Sequence, residues 1–160
     1  TMKIRVAFYR NSKTFFGKLI RWKQRYIGDL PSRHARYSHV ELVFGNEWFS
    51  SSEVDGGVRF KKIKDRKGNW DYIDLEVTDQ EYQIAYDWAK SQVGNSYNWF
   101  GIFFAQFLGT AWFIRSFDWF CSQVVTANLQ QIKMLCGVDA IFISPGRLHY
   151  LLENGKKRNR

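Results

Sequence analysis

The sequence predicts an α+β domain built on a largely antiparallel sheet, and three observations carry that expectation. Apolar and charged side chains alternate from Lys3 to Tyr9, which is the period of a strand with one buried face. Four more short runs, separated by turn residues, follow between Tyr37 and Val77. Thr78 then stands three residues before Glu81, a capping box that opens a region of helical periodicity. The order is strand, helix, sheet, helices.

Each element has its own reason. Ile4, Val6 and Phe8 form the apolar face of the first strand. Thr14 to Tyr26 reads as an amphipathic helix with Phe15, Leu19 and Trp22 on one face, broken by the Gly28 to Ser32 stretch that contains Pro31. Tyr37 to Phe44 is rich in Val and Leu; Gly45-Asn46 turns it back into Trp48 to Ser52. Gly56-Gly57 breaks the chain before Val58 to Lys64, and the basic Asp65 to Asn69 turn leads to Trp70 to Val77. Tyr82, Ala85, Tyr86, Ala89 and Val93 continue the capped helix until Gly94. Asn98 to Leu108 reads as a buried helix. A further helix starts near Asp118 or Trp119 and runs to Leu135, stopped by Gly137. Ala140 to Ile143 reads as a short strand, and Ser144 with Pro145 opens the last helix.

A length of 160 residues suits one core, so residues 1–155 are read as one domain and 156–160 as a basic tail. Aromatic residues make up 18 %, which implies a core or pocket wall built from rings. The net charge of +9 favours anionic partners. Lys61, Lys62, Lys64, Arg66 and Lys67 concentrate part of it and are the expected anionic-surface contact; a solvated hairpin tip is the plainer account of them. Nucleic acid is disfavoured as a partner, because there is no RNP-type aromatic strand and no helix-turn-helix pattern. The 2 cysteines, Cys121 and Cys136, make no disulfide framework, so a reducing compartment is expected. No charge falls between Lys90 and Arg115, yet Asn95, Asn98 and Gln106 interrupt the apolar runs. No membrane span and no signal peptide are expected, and the location read from this is cytoplasmic or virion-associated.

Chemistry centres on two residues. Cys121 stands at a predicted helix start, where partial positive charge and free N–H groups favour a thiolate and can hold an oxyanion. The alternative is a small buried hydrophobe. His39 begins an apolar strand, where its ring could exchange a proton with Cys121 or serve only as a satisfied structural group. His34, in a basic loop, and His149, on the last helix, are weaker candidates. The base needs an orienting partner. Ser52 falls opposite His39 if Gly45-Asn46 is a tight turn, Ser50 falls diagonally, and Glu41 shares the face at i+2. There is no P-loop, no G-x-S-x-G elbow and no zinc-ligand spacing, so neither metal nor organic cofactor is expected.

Four segments in order then resemble a known family. Ser38-His39-Val40-Glu41-Leu42-Val43-Phe44-Gly45 is similar to the His-Val-Gly-Ile strand of NlpC/P60 and related papain-like enzymes. Phe120-Cys121-Ser122-Gln123-Val124-Val125 resembles the Tyr-Cys-Ser-Glu-Leu-Val segment of their circularly permuted, YiiX-like branch. Gly94-Asn95-Ser96-Tyr97-Asn98 and Ser144-Pro145 resemble the segments that flank it. The resemblance implies a papain-like permuted fold, with an antiparallel sheet packed against helices that include the cysteine helix. It also implies a Cys121–His39 pair and acyl transfer through cysteine: a cysteine peptidase or amidase acting on a peptide or cell-wall-type amide. Two alternatives are a lipid-directed acyltransferase acting on a lipid amide or ester at a membrane surface, and a non-enzymatic binding protein. Two departures stand out. Ser50, Ser51 and Ser52 occupy the strand where the branch carries Glu or His, and Glu41 replaces its glycine.

Overall fold

In the computed structural model, which describes residues 1–10, 12–13, 15–26, 30–65, 68–96 and 120–158, the chain is α+β with a five-stranded antiparallel sheet. The strands are β1 (Met2–Tyr9), β2 (His39–Phe44), β3 (Glu47–Ser52), β4 (Gly57–Lys61) and β5 (Trp70–Val77), in the spatial order β4-β3-β2-β1-β5. The helices are α1 (Phe15–Tyr26), α2 (Ser32–Ala35), α3 (Asp79–Gln92), α4 (Cys121–Gln131) and α5 (Pro145–Arg158).

The alternation in β1 does what its pattern demands. Ile4, Val6 and Phe8 are fully buried on the helix-covered face. Val40, Leu42 and Phe44 of β2, Phe49 of β3 and Ile73, Leu75 and Val77 of β5 extend that face. α3 covers it with Ala85 and Ala89, α4 with Val124, Val125 and Leu129, and α5 with Leu148 and Leu152. The opposite face carries a smaller cluster of Ala7, Val43 and Trp48, with Ile63 and Trp70 packed on it. Burying an aliphatic side chain of this kind contributes about 1.5–3 kcal/mol, so the two-sided strand β1 anchors the fold.

Caps appear where the residues call for them. The Thr78 hydroxyl accepts from the Glu81 N–H at 3.1 Å, and the Glu81 carboxylate accepts from the Thr78 N–H at 2.8 Å. The Ser144 hydroxyl accepts from the Arg147 N–H at 3.2 Å at the start of α5.

Several expectations need correction. Ala140–Phe142 is a 3₁₀ turn rather than a strand, because the Asp139 carboxylate accepts from the Ile141 N–H and folds the chain back at once. α4 ends at Gln131 rather than Leu135; Lys133 and Leu135 adopt positive φ, which no helix continues through. The buried face of α1 is not the one that holds Trp22, which is 50 % exposed. It holds Gly17 and Gln24 instead. Gln24 donates to the Ala35 carbonyl at 3.2 Å and the Tyr37 carbonyl at 2.7 Å and accepts from the Gly146 N–H at 2.7 Å, so one buried amide ties α1, α2 and α5 together. His34 lies in α2 rather than in a loop, fully buried. The α5 backbone runs through Arg158, so residues 156–158 of the basic tail are helical. The Asn98–Leu108 helix lies outside the described residues.

Candidate active site

Cys121 is the first residue of α4; the expected start at Asp118 or Trp119 lies outside the described residues. Phe120 is extended and offers no side-chain cap, so the cap residue itself does not compete for the first-turn N–H groups of α4. The helix is held firmly. The Ser122 hydroxyl donates to the Ile143 carbonyl at 2.6 Å, and the Asn128 amide donates to the Ala85 carbonyl at 2.7 Å. α4 packs across β2 and β3, and this brings its N-terminus to the start of β2, where His39 stands.

His39 is fixed from several sides. It pairs with Tyr9 in the β1–β2 ladder, and the preceding Ser38 N–H donates to the Tyr9 carbonyl at 3.0 Å. The Trp70 ring meets the imidazole edge-on at 6.2 Å between centroids. The Cys121 sulfur lies close enough to the imidazole to act on its charge. His39 Nε2 meets Glu41 Oε1 at 3.0 Å.

Of the three candidate orienting residues, Glu41 is the one that reaches the ring. Ser50 shares its face but does not bond to the ring: its hydroxyl is fully buried and donates to the Val40 carbonyl at 2.7 Å. Ser52 only lines the cavity beside His39. The β2–β3 register (Leu42↔Phe49, Val43↔Trp48), continued along the ladder, sets Ser50 beside Glu41. Arg59 pairs with Ser50 from β4. Because serine is short, the Arg59 side chain reaches over it and grips Glu41 with two bonds, at 2.9 and 2.8 Å. Arg59 also donates to Asp55 at 2.7 Å, and Lys61 donates to Asp55 at 2.9 Å. The chain Cys121–His39–Glu41–Arg59–Asp55–Lys61 is therefore one alternating network. Arg59 and Asp55 were not legible as site residues, because their place depends on the β3–β4 register, which the sequence leaves open.

The electrostatics follow. Burial pushes the His39 pKa down, but Cys121 and Glu41 outweigh it and raise it to about 10. Burial would push Glu41 up; the bonds from His39 and Arg59 hold it below the ordinary carboxylate value instead. Burial acts likewise on Asp55 and is overcome by Arg59 and Lys61, leaving its pKa at about 2. Glu41 is 1 % exposed and thus an ionised carboxylate inside the protein, which is stable only because it is bonded on both oxygens. A cavity of about 460 Å³ opens beside His39, Arg59 and Asp55, walled also by Tyr9, Ser52, Val54 and Trp70; Cys121 and Glu41 lie behind its wall. Cys121 is 3 % exposed.

Three other groups come together away from this centre. His34, His149 and Glu153 bring ligand-type atoms within 4.8 Å of one another. The pattern of donors argues against a cation there. Arg33 donates to His34 Nε2 at 3.0 Å, so His34 Nδ1 carries the proton it shares with His149 Nδ1 at 2.8 Å. A protonated nitrogen is no ligand, and the Arg33 guanidinium adds positive charge. Of the basic run, Lys61 is paired with Asp55, Lys62 and Lys64 are exposed, and Arg66 and Lys67 lie outside the described residues.

Comparison of the chain with protein-family models finds no match, and a search of curated proteins finds none either.

Proposed function

We propose that the protein is a cysteine hydrolase of amide bonds, with Cys121 as nucleophile, His39 as proton carrier and Glu41 as the orienting carboxylate. The observation that carries this reading is the His39–Glu41 bond at 3.0 Å on an imidazole that also interacts with Cys121. An imidazole held by a carboxylate and set beside a thiol is the arrangement that proton transfer requires. Glu41 supplies the carboxylate that Ser50, Ser51 and Ser52 cannot, and this favours the enzymatic reading over a non-enzymatic binding protein. The papain-like permuted fold is part of the same proposal, supported by the histidine strand that precedes a cysteine helix packed on an antiparallel sheet.

The steps balance within the chain. The Cys121 thiolate attacks the carbonyl carbon, and the first-turn N–H groups of α4 receive the developing oxyanion. The C–N bond breaks as His39 gives its proton to the leaving nitrogen, leaving a thioester and a neutral imidazole. Water then adds to the thioester and gives its proton to His39; the carboxylic acid departs and the thiolate–imidazolium pair returns. Glu41, anchored by Arg59, keeps the ring from turning and stabilises its charge.

Incubation with an activated acyl ester followed by intact-mass and peptide analysis tests this. An acyl group on Cys121 that turns over, absent from Cys121→Ala and much reduced in His39→Ala, is expected. Acylation confined to Cys136, or equal in all three proteins, overturns the assignment.

A further inference from the structure

The α1 helix carries a second chemical surface that the acyl-transfer reading does not use. Its residues Lys18, Arg21, Trp22, Arg25 and Tyr26 recur at spacings of three and four and so share one side of the helix. With Ser32, Ala35 and Arg36 from the α2 region they wall a groove of about 320 Å³. Trp22 is 50 % exposed and Tyr26 66 % exposed, an unusual outlay of ring surface for an unpartnered face. The two rings lie 6.1 Å apart, and the Arg25 guanidinium sits over Tyr26 at 5.6 Å.

α1 has no acidic residue in its first turn and ends on basic residues, Arg25 among them. Among the described residues, no carboxylate pairs with Lys18, Arg21 or Arg25; Arg21 bonds only to the backbone carbonyls of Arg10 and Ser12. This differs from Lys61 and Arg59, whose charges Asp55 and Glu41 answer.

We propose that this face of α1, with its groove, docks on an anionic lipid bilayer. Rings that are apolar in body and polar at the tip, interleaved with cations on one helix side, match the headgroup boundary: the indole and phenol sit at the interface while the cations meet phosphate. Nucleic acid would also answer the charge, but a short helical face with two adjacent rings and one groove favours a surface over a strand that must be tracked. Gly17 and Ile20, which lie away from this face on the same helix, line the cavity over His39, so α1 stands between the proposed docking face and the candidate active site. Placing acyl chemistry at a lipid surface rests on the function proposed above; the docking itself does not.

Vesicle flotation tests it with the full chain. Vesicles of phosphatidylcholine alone and of phosphatidylcholine with phosphatidylglycerol are compared at low and high salt. Flotation with the anionic vesicles, weakened by salt and absent with the neutral ones, is expected. Lys18→Glu/Arg25→Glu should lower the binding roughly tenfold or more, and Trp22→Ser should lower it as well. Lys62→Glu/Lys64→Glu should bind like the wild type. Rates of Cys121 alkylation, measured on every variant, should stay unchanged, which separates lost docking from a lost fold or a lost thiol centre. No flotation with anionic vesicles overturns the proposal. So does wild-type binding by the α1 double variant, a loss confined to the Lys62/Lys64 variant, or binding to a single-stranded oligonucleotide without binding to vesicles.

Discussion

Glu41 reaches His39 because residues two apart on a strand share a face. That spacing was legible, and so was the strand. The choice between Glu41 and the serines was not, because a hydroxyl and a carboxylate at neighbouring positions look equally able to accept an N–H bond. Arg59 decides it: an ionised carboxylate can stay buried at this place only beside a cation, and the cation arrives from two strands away over the small Ser50. Glu41→Gln keeps the shape but removes the charge, and turnover should fall roughly 10²- to 10³-fold, while Ser52→Ala stays near wild type. Steady-state rates on one ester substrate compare them; a larger loss in Ser52→Ala would return the orienting role to the serine. Arg59→Met leaves Glu41 half-bonded inside the protein and should cost about 3 kcal/mol or more of stability, read from urea unfolding. The raised His39 pKa gives a sign for pH as well. The protonated ring is the acid that releases the leaving group, so activity should decline as pH rises through about 10.

Elements were easiest to read where one local rule settled them. The capping box at Thr78 and the alternation in β1 needed no knowledge of the rest of the chain, and both appear where expected. α1 was placed correctly along the chain but turned wrongly, because its buried face is chosen by a polar residue. Hydrophobic periodicity cannot find Gln24, whose amide satisfies groups on three separate segments. Gln24→Ala should therefore destabilise the protein more than Thr78→Ala. The first leaves buried backbone groups unpaired and should cost roughly 2–4 kcal/mol; the second loses one exposed cap, about 1 kcal/mol. Thermal unfolding of both variants orders them, and a larger shift for Thr78→Ala would mean that Gln24 is not the tie it looks to be. The turn at Ala140 was misread for a similar reason: four apolar-leaning residues resemble a buried strand, and only the Asp139 cap shows that they fold back.

At the scale of the molecule, the antiparallel α+β plan followed from the order of elements, whereas the meeting of His39 with α4 depends on how helices lie across the sheet, which no spacing encodes. The buried imidazoles were likewise invisible as a pair. His34 and His149 are far apart in sequence and bonded at 2.8 Å across the α2–α5 contact. Burial, with His34 beside it, lowers the His149 pKa to about 4. A histidine depressed in the folded state contributes stability above its unfolded pKa of roughly 6.5, and that contribution is lost as pH falls toward about 4. The loss is on the order of 3 kcal/mol. His149→Gln should flatten the decline between pH 7 and pH 4; unfolding curves with equal slopes for both proteins would show that His149 titrates freely.

The central claim is that His39, steadied by Glu41, activates Cys121, and it can be measured without knowing the substrate. Iodoacetamide alkylation of Cys121 and Cys136 is followed at neutral pH by peptide mass spectrometry in the wild type, His39→Ala and Glu41→Gln. Cys136 is exposed and Cys121 buried, so access alone predicts faster labelling of Cys136. The catalytic account predicts the reverse in the wild type, with the Cys121 rate falling at least roughly tenfold in His39→Ala, falling less in Glu41→Gln, and the Cys136 rate constant throughout. Faster labelling of Cys136 in the wild type, with a Cys121 rate indifferent to His39, would contradict it.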